Sequence, residues 1–137
     1  MKTSTHTLSL DAPKGRAFSF LADIENLPRW ATMFCKELKK DAKGGYKVVT
    51  PGGEIAFKIV ADEATGTIDM FGGPTEEQMS YWPARVVERP GAGSLFIFTS
   101  MQYPGMSDEV FAMQCESLKQ EFAHIADHVD GKRAAQE

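Results

Sequence analysis

The fold of this chain is decided by residues 106–129, MSDEVFAMQCESLKQEFAHIADHV. Apolar side chains recur in this stretch at alternating steps of four and three residues, which is the period of a helix with one apolar stripe: Phe111, Cys115, Leu118, Phe122, Ile125 and Val129. The stripe has to be buried, and the rest of the chain offers mainly strands to bury it against. A helix lying on a curved sheet tends to enclose a cavity, so the sequence predicts an α+β fold with space for a small molecule.

Before this helix, the period of apolar residues changes to two, which is typical of strands. The first strand contains His6, Leu8 and Leu10 on one face, and two short helices follow it, the first with Asp11 as its expected cap. Further strands are predicted at 33–40, 45–50, 54–62, 66–72, 77–88 and 94–102, and the segments between them contain glycine or proline. Because Pro83 cannot donate a hydrogen bond to a sheet, we expect a bulge or a sharp bend there.

Length and charge exclude several classes of protein. A chain of 137 residues fits one domain, which we place at residues 1–130 with a short polar tail at 131–137. The net charge of −4 argues against binding to nucleic acid, which requires a basic face. Two cysteines cannot form a disulfide framework, the N-terminal residues lack the apolar core of a signal peptide, and no apolar run approaches the roughly 18 residues of a membrane span. We therefore expect a cytoplasmic protein.

The order of these elements resembles a known superfamily. The resemblance is carried by DAPKGRAFSFLADIENLPRW at residues 11–30 and by YPGMSDEVF at residues 103–111, and it extends over residues 1 to about 130. The chain is similar to the helix-grip superfamily of START-like, Bet v 1-like and polyketide cyclase-like (SRPBCC) proteins. This resemblance implies a seven-stranded antiparallel sheet that wraps around the C-terminal helix, with an apolar cavity between them. Members bind lipids, sterols, polyketides or hormones, and some cyclise aromatic polyketides or act as adaptors.

Candidate ligand-binding residues follow from the predicted inward faces. Eight side chains are expected to form a mainly apolar lining: Trp30, Phe57, Ile59, Met70, Tyr81, Phe98, Leu118 and Phe122. His6, Arg85 and Gln102 are the expected polar contacts, with Tyr81 and Arg85 on one face of the same strand. However, Trp82 and Val86 favour the opposite orientation of that strand, so the sequence leaves its inward face open.

Few residues carry a signal for metal binding or catalysis. His124 and His128 are four residues apart on the last helix, but neither a third ligand nor the glutamate of an HExxH motif accompanies them. No motif for a serine nucleophile or a phosphate-binding loop occurs. We therefore expect no metal and no cofactor, and the sequence assigns no catalytic residue.

Three functions are compatible with this pattern. The first is binding of a small apolar or aromatic molecule, such as a lipid or a polyketide. An alternative is an enzyme of the polyketide cyclase or dehydratase type that uses His6, Tyr81 or Arg85, and another is a protein–protein adaptor. We also expect a homodimer, because the strand at 94–102 is apolar on both faces and the helix can cover only one of them.

Overall fold

The computed structural model describes residues 1–131, in which three α-helices accompany eight β-strands. The strands are β1 (Thr3–Leu10), β2 (Glu37–Lys40), β3 (Tyr46–Thr50), β4 (Gly53–Asp62), β5 (Thr67–Thr75), β6 (Gln78–Trp82), β7 (Ala84–Glu88) and β8 (Ser94–Met101). The helices are α1 (Lys14–Ala22), α2 (Leu27–Trp30) and α3 (Asp108–Val129), with a 3-10 turn at Ile24–Asn26. The predicted polar tail beyond Gly131 lies outside the described residues.

All strands form one antiparallel sheet in the order β1-β8-β7-β5-β4-β3-β2, and β6 pairs with β5 beside this path. The first and last strands are neighbours, so His6 lies opposite Phe98. The segment predicted as one strand at 77–88 is divided at Pro83, as its missing N–H group requires. This division explains why eight strands are present where seven were expected. The predicted helix-grip arrangement of an antiparallel sheet and a long C-terminal helix is confirmed.

The strand predicted at 33–40 begins only at Glu37. The N–H groups of Met33 and Phe34 donate to the carboxylate of Glu121 on α3, at 3.1 and 3.0 Å. These peptide groups are therefore unavailable to a neighbouring strand, and residues 31–36 form a loop held against the helix. The prediction was wrong here because a local turn, in which Phe34 and Cys35 donate to the carbonyl of Ala31, and a side chain distant in sequence together engage these N–H groups.

Helix α3 has the ends and the buried stripe that the sequence predicts. The hydroxyl of Ser107 accepts a hydrogen bond from the N–H group of Val110 at 3.1 Å, and Gly131 follows the helix with a φ of 76°. The stripe is buried except for Cys115, which is half-buried: Phe111, Leu118, Phe122, Ile125 and Val129. The other cysteine of the chain, Cys35, is also unpaired.

Helix α1 starts differently from the prediction. It begins after Pro13 and has no side-chain cap. Instead of capping α1, Asp11 donates its own N–H group to the carboxylate of Asp130 at 3.0 Å, and Ala12 does the same at 2.9 Å. These bonds fasten the connection between β1 and α1 to the C-terminal end of α3.

Strand β8 separates the core from the opposite face of the sheet. Phe96 and Phe98 are buried on the face that packs against α3, which we call the inner face. Leu95, Ile97 and Met101 are half-buried on the outer face. The alternation is that of a strand covered fully on one side only.

Candidate ligand-binding site

An aromatic cluster lies on the inner face where the sheet meets the loop at residues 31–36. The ring of Phe34 lies 5.5 Å from that of Phe57 and 5.9 Å from that of Trp82, and the rings of Phe57 and Trp82 are 6.3 Å apart. Gly72 makes room for these rings, since a Cβ atom there would come within 2.8 Å of Phe57 and 3.3 Å of Trp82. Phe34 and Trp82 remain half-exposed. The cluster is thus an apolar surface that solvent reaches.

Next to this cluster is a cleft of about 310 Å³. Its apolar lining includes Ile24, Phe57, Ile59 and Met79. The volume lies at the lower end of the range of small-molecule sites, roughly 300–1,000 Å³. An open depression of about 630 Å³ also exists at the start of α1, but glycine, proline and charged side chains surround it. Gly44, Gly45, Lys58 and Glu76 also border the smaller cleft, but its larger number of apolar side chains makes it the better candidate for an apolar ligand.

A second group of rings fills the space between β8 and α3. Phe122 lies 5.6 Å from Phe96 and 6.5 Å from Phe98, measured between ring centroids. Trp30 contacts Phe96 edge-on at 6.4 Å, and His6 contacts Phe122 edge-on at 6.5 Å. Phe98 is paired with Ala84, two residues along the chain from Trp82, so this group continues towards the exposed cluster.

Two nitrogen atoms in this interior have no hydrogen-bond partner within residues 1–131: Nε1 of Trp30 and Nε2 of His6. Trp30 is only 2% exposed. Burial lowers the pKa of His6, which favours the neutral imidazole at pH 7. An unpaired polar group in the interior raises the free energy of the folded state by roughly 1–3 kcal/mol. A hydrogen-bond partner for either nitrogen would therefore be stabilising.

Glu121 is a buried residue that the sequence reasoning did not single out. It is 4% exposed, and one carboxylate oxygen accepts both N–H groups of the loop at residues 31–36. Burial raises its pKa to about 7, while the two backbone hydrogen bonds and the charge of Lys36 act in the opposite direction. A signal existed in the sequence, because Glu121 falls between Leu118 and Ile125 at the spacing of the buried stripe.

Most of the predicted ligand contacts lie on the inner side of the molecule. The side chains that do so are His6, Trp30, Phe57, Ile59, Met70, Phe98, Leu118 and Phe122. Met70 is paired with both Ile59 and Trp82, so these three residues share one face across β4, β5 and β6. The inner face thus brings together residues from strands that are distant in sequence.

The other three predicted contacts are engaged elsewhere. The hydroxyl of Tyr81 donates to Asp69 at 2.8 Å, and the Nε–H group of the exposed Arg85 donates to the carbonyl of Thr65 at 2.8 Å. Gln102 donates its side-chain N–H groups to Met106 and Asp108 at the start of α3. Tyr81 and Arg85 occupy the outer face because their neighbours Trp82 and Val86 take the inner face, as their larger apolar surface favours.

No cluster of three or more potential metal ligands occurs among residues 1–131. His128 instead stacks on the ring of Phe20, with centroids 5.4 Å apart. Within the same residues, no helix has both the length and the apolar character needed to cross a membrane.

The protein is similar to known proteins in its three-dimensional structure but not in its sequence. No protein-family model and no curated protein matches the sequence. The Aha1 dimer from Colwellia psychrerythraea is 15% identical with a TM-score of 0.69, covering 97% of this chain and 99% of its own. A START superfamily protein from Mycobacterium smegmatis is 14% identical with a TM-score of 0.63, covering 93% and 97%. The di-domain ARO/CYC protein BexL is 14% identical with a TM-score of 0.64, covering 95% of this chain and 47% of its own. The protein therefore has the same helix-grip fold as these proteins.

Proposed function

We propose that this protein binds a small apolar or aromatic molecule, such as a lipid or a polyketide, between the inner face of the sheet and α3. The observation that carries this proposal is the partly exposed apolar surface of Phe34 and Trp82 beside a cleft that Phe57 and Ile59 line. Soluble domains normally bury such side chains, and their exposure in a concave region is a feature of ligand sites. A ligand lying on this surface would remove it from water, at roughly 25 cal/mol for each Å² buried.

The positions of the polar groups favour binding over catalysis. A cyclase of the kind suggested by the resemblance would need polar side chains facing the ligand to polarise a carbonyl and move a proton. Tyr81 and Arg85 have their polar groups on the outer face, which leaves His6 alone of the three expected groups on the inner side. A single neutral imidazole next to phenylalanine rings suits recognition of a ligand.

Adjacent residues on β4 provide a matched test. Ile59 is half-buried on the inner face, whereas Val60 is 53% exposed on the outer face. We expect Ile59→Glu to weaken binding of the uncharged fluorescent probe N-phenylnaphthylamine at least about tenfold, because a ligand would have to desolvate the new carboxylate. Val60→Glu should leave the affinity within about twofold of wild type.

Both variants are checked for folding by circular dichroism and thermal unfolding before titration. Failure of the wild-type protein to bind the probe at micromolar concentration would refute the proposed function. Equal affinity of the two variants would refute the location of the site while leaving binding itself in place.

A further inference from the structure

The loop at residues 31–36 connects α3 to the inner face of the sheet. On one side, a single carboxylate oxygen of Glu121 accepts the N–H groups of Met33 and Phe34. On the other side, the ring of Phe34 packs against Phe57 of β4, with centroids 5.5 Å apart. Phe57 is 3% exposed and also lines the cleft. Movement of the loop away from α3 would take Phe34 off Phe57 and enlarge the apolar surface at the cleft.

The middle of this loop is held to α3 through Glu121 alone, whereas its ends are held independently. The N–H group of Met33 has Glu121 as its acceptor and makes no second hydrogen bond within residues 1–131. At the end of the loop, the N–H group of Lys36 donates to the carbonyl of Val49 on β3 at 2.8 Å. The local turn inside the loop does not involve α3 and would move with it. Loss of the Glu121 bonds would therefore free the middle of the loop and leave its ends in place.

The carboxylate of Glu121 is buried without an ion pair. The side chain is 4% exposed beside Leu118 and Phe122, and none of the salt bridges within residues 1–131 includes it. Transfer of a carboxylate from water to such a place is unfavourable, and two backbone hydrogen bonds offset only part of this penalty. Burial correspondingly raises the pKa of Glu121 to about 7. The closed loop thus favours the neutral acid, and the ionised acid favours an arrangement that solvent reaches.

The ionisable groups in the loop do not remove this preference. The charge of Lys36 lowers the pKa of Glu121, but Lys36 is exposed and its ammonium group donates to the carbonyl of Thr32 at 3.2 Å. Burial raises the pKa of the Cys35 thiol to about 11, so the thiol is neutral between pH 5 and 8.

Other ionisable groups lie on α1, α2 and β1, which pack against α3, and one turn along α3 itself. They are Lys14, Arg16, Arg29, His6 and His124. None of them forms a hydrogen bond or a salt bridge with Glu121 within residues 1–131. The two histidines titrate in a similar range of pH, so a variant of Glu121 is needed to isolate its effect.

We propose that residues 31–36 form a pH-dependent lid, which is closed while Glu121 is protonated and opens towards solvent as Glu121 ionises. The opening carries Phe34 away from Phe57 and exposes Cys35. Only its consequence, easier entry of an apolar ligand, rests on the proposed function, since the motion itself requires no ligand.

Reaction of Cys35 with iodoacetamide measures the opening, because the closed lid leaves this residue 3% exposed. Peptide mass spectrometry separates Cys35 from Cys115, and division by the rate in urea-unfolded protein at the same pH removes the ionisation of the thiol. Glu121 has a pKa of about 7 in the closed state and its ordinary value of 4.5 in the open state. The open fraction should therefore rise about 10- to 100-fold from pH 5 to pH 8 and level off above pH 7.

Two variants assign this rise to one carboxylate. In Glu121→Gln, whose side chain does not titrate, the open fraction should change less than about twofold over the same range. Glu116→Gln, on the exposed side of α3, should keep the wild-type rise.

Urea at low concentration separates the lid from global unfolding. Opening of one loop exposes little surface, so 1 M urea should change the labelling rate of Cys35 by less than about twofold. Labelling through global unfolding would accelerate about tenfold for each molar of urea. This measurement and the pH series use the wild-type protein, so they decide the question even if Glu121→Gln does not fold.

Stopped-flow binding of N-phenylnaphthylamine tests the consequence for the ligand. Its association rate should rise at least about threefold from pH 5 to pH 8 in wild type and stay constant in Glu121→Gln, because only the open fraction admits the probe freely.

The outcomes separate the two proposals. Labelling of Cys35 that does not depend on pH, that rises equally in Glu121→Gln, or that follows global unfolding in urea would overturn the lid. Labelling that rises with pH beside a constant association rate would overturn the role of the lid in ligand entry. A wild-type protein that binds no probe would refute the proposed function and not the lid, because labelling needs no ligand.

Discussion

Glu121 shows how one buried residue links the pH of the solution to the stability of this fold. Its pKa is about 7 in the folded protein, compared with an ordinary value of 4.5. Between these two pH values the folded state binds more protons at this site than the unfolded chain does. The contribution of Glu121 to stability is therefore greatest below pH 4.5 and is lost as the pH rises through 7, by on the order of 3 kcal/mol.

We expect Glu121→Gln to reduce this pH dependence. The amide oxygen of glutamine can still accept from Met33 and Phe34, but the side chain no longer titrates. The difference in unfolding free energy between variant and wild type should therefore shift in favour of the variant by about 1–3 kcal/mol from pH 5 to pH 8. Urea unfolding at the two pH values measures this shift.

Glu116→Gln, on the exposed side of the same helix, is the control for Glu121→Gln. It should leave the pH dependence as in wild type. Parallel pH profiles for wild type and Glu121→Gln would show that the carboxylate of Glu121 does not titrate in this range.

At the scale of the element, strand β5 is organised around a glycine. Gly72 is buried, and the side chains of Phe57 and Trp82 from the strands on either side fill the space next to it. A strand interior usually disfavours glycine, because it adds flexibility without packing surface. Here glycine is required by the rings that cross over it.

We expect Gly72→Ala to destabilise the protein by about 1–3 kcal/mol, because the added methyl group would lie 2.8 Å from Phe57. The same displacement of the rings should weaken binding of N-phenylnaphthylamine. The comparison variant is Gly15→Ala in α1, where no atom lies within 4 Å of the added Cβ. That change should be neutral or stabilising by up to about 1 kcal/mol. Thermal unfolding measures the stability of both variants. If Gly72→Ala and Gly15→Ala are equally stable, the rings of Phe57 and Trp82 move aside without destabilising the protein.

At the scale of the whole molecule, the sheet has an outer face that α3 does not cover. Leu95, Ile97 and Met101 lie there on β8, and the ring of Phe71 stacks on Tyr81 at 4.9 Å further along the sheet. Apolar side chains on an uncovered sheet face are a common site of association.

We expect a homodimer that Ile97→Lys converts to the monomer, because a lysine ammonium group would be buried without a partner in the interface. Light scattering at micromolar concentration measures the mass against the 15.1 kDa of one chain. Met113→Lys replaces a 68% exposed residue on α3 and should leave the mass unchanged. A wild-type protein that is monomeric under these conditions would contradict the expected dimer.

Elements whose pattern is local could be predicted from the amino-acid sequence. The stripe from Phe111 to Val129 specified α3, because residues three and four apart share a helix face wherever the helix packs. Pro83 specified the break between β6 and β7, because a missing donor acts within its own strand. The burial of Phe57, Leu118 and Phe122 followed from the same periodicity.

The partner of each polar group, in contrast, depends on how the elements pack together. The loop at residues 31–36 is held partly by the carboxylate of Glu121, which lies about ninety residues later in the chain. Tyr81 lies on the outer face because its neighbour Trp82 packs over Gly72 on the inner face. Whether the indole N–H group of Trp30 has a hydrogen-bond partner depends on the positions of all the elements around it. Hydrogen bonds and close packing depend on distances between elements, and periodicity carries no information about such distances.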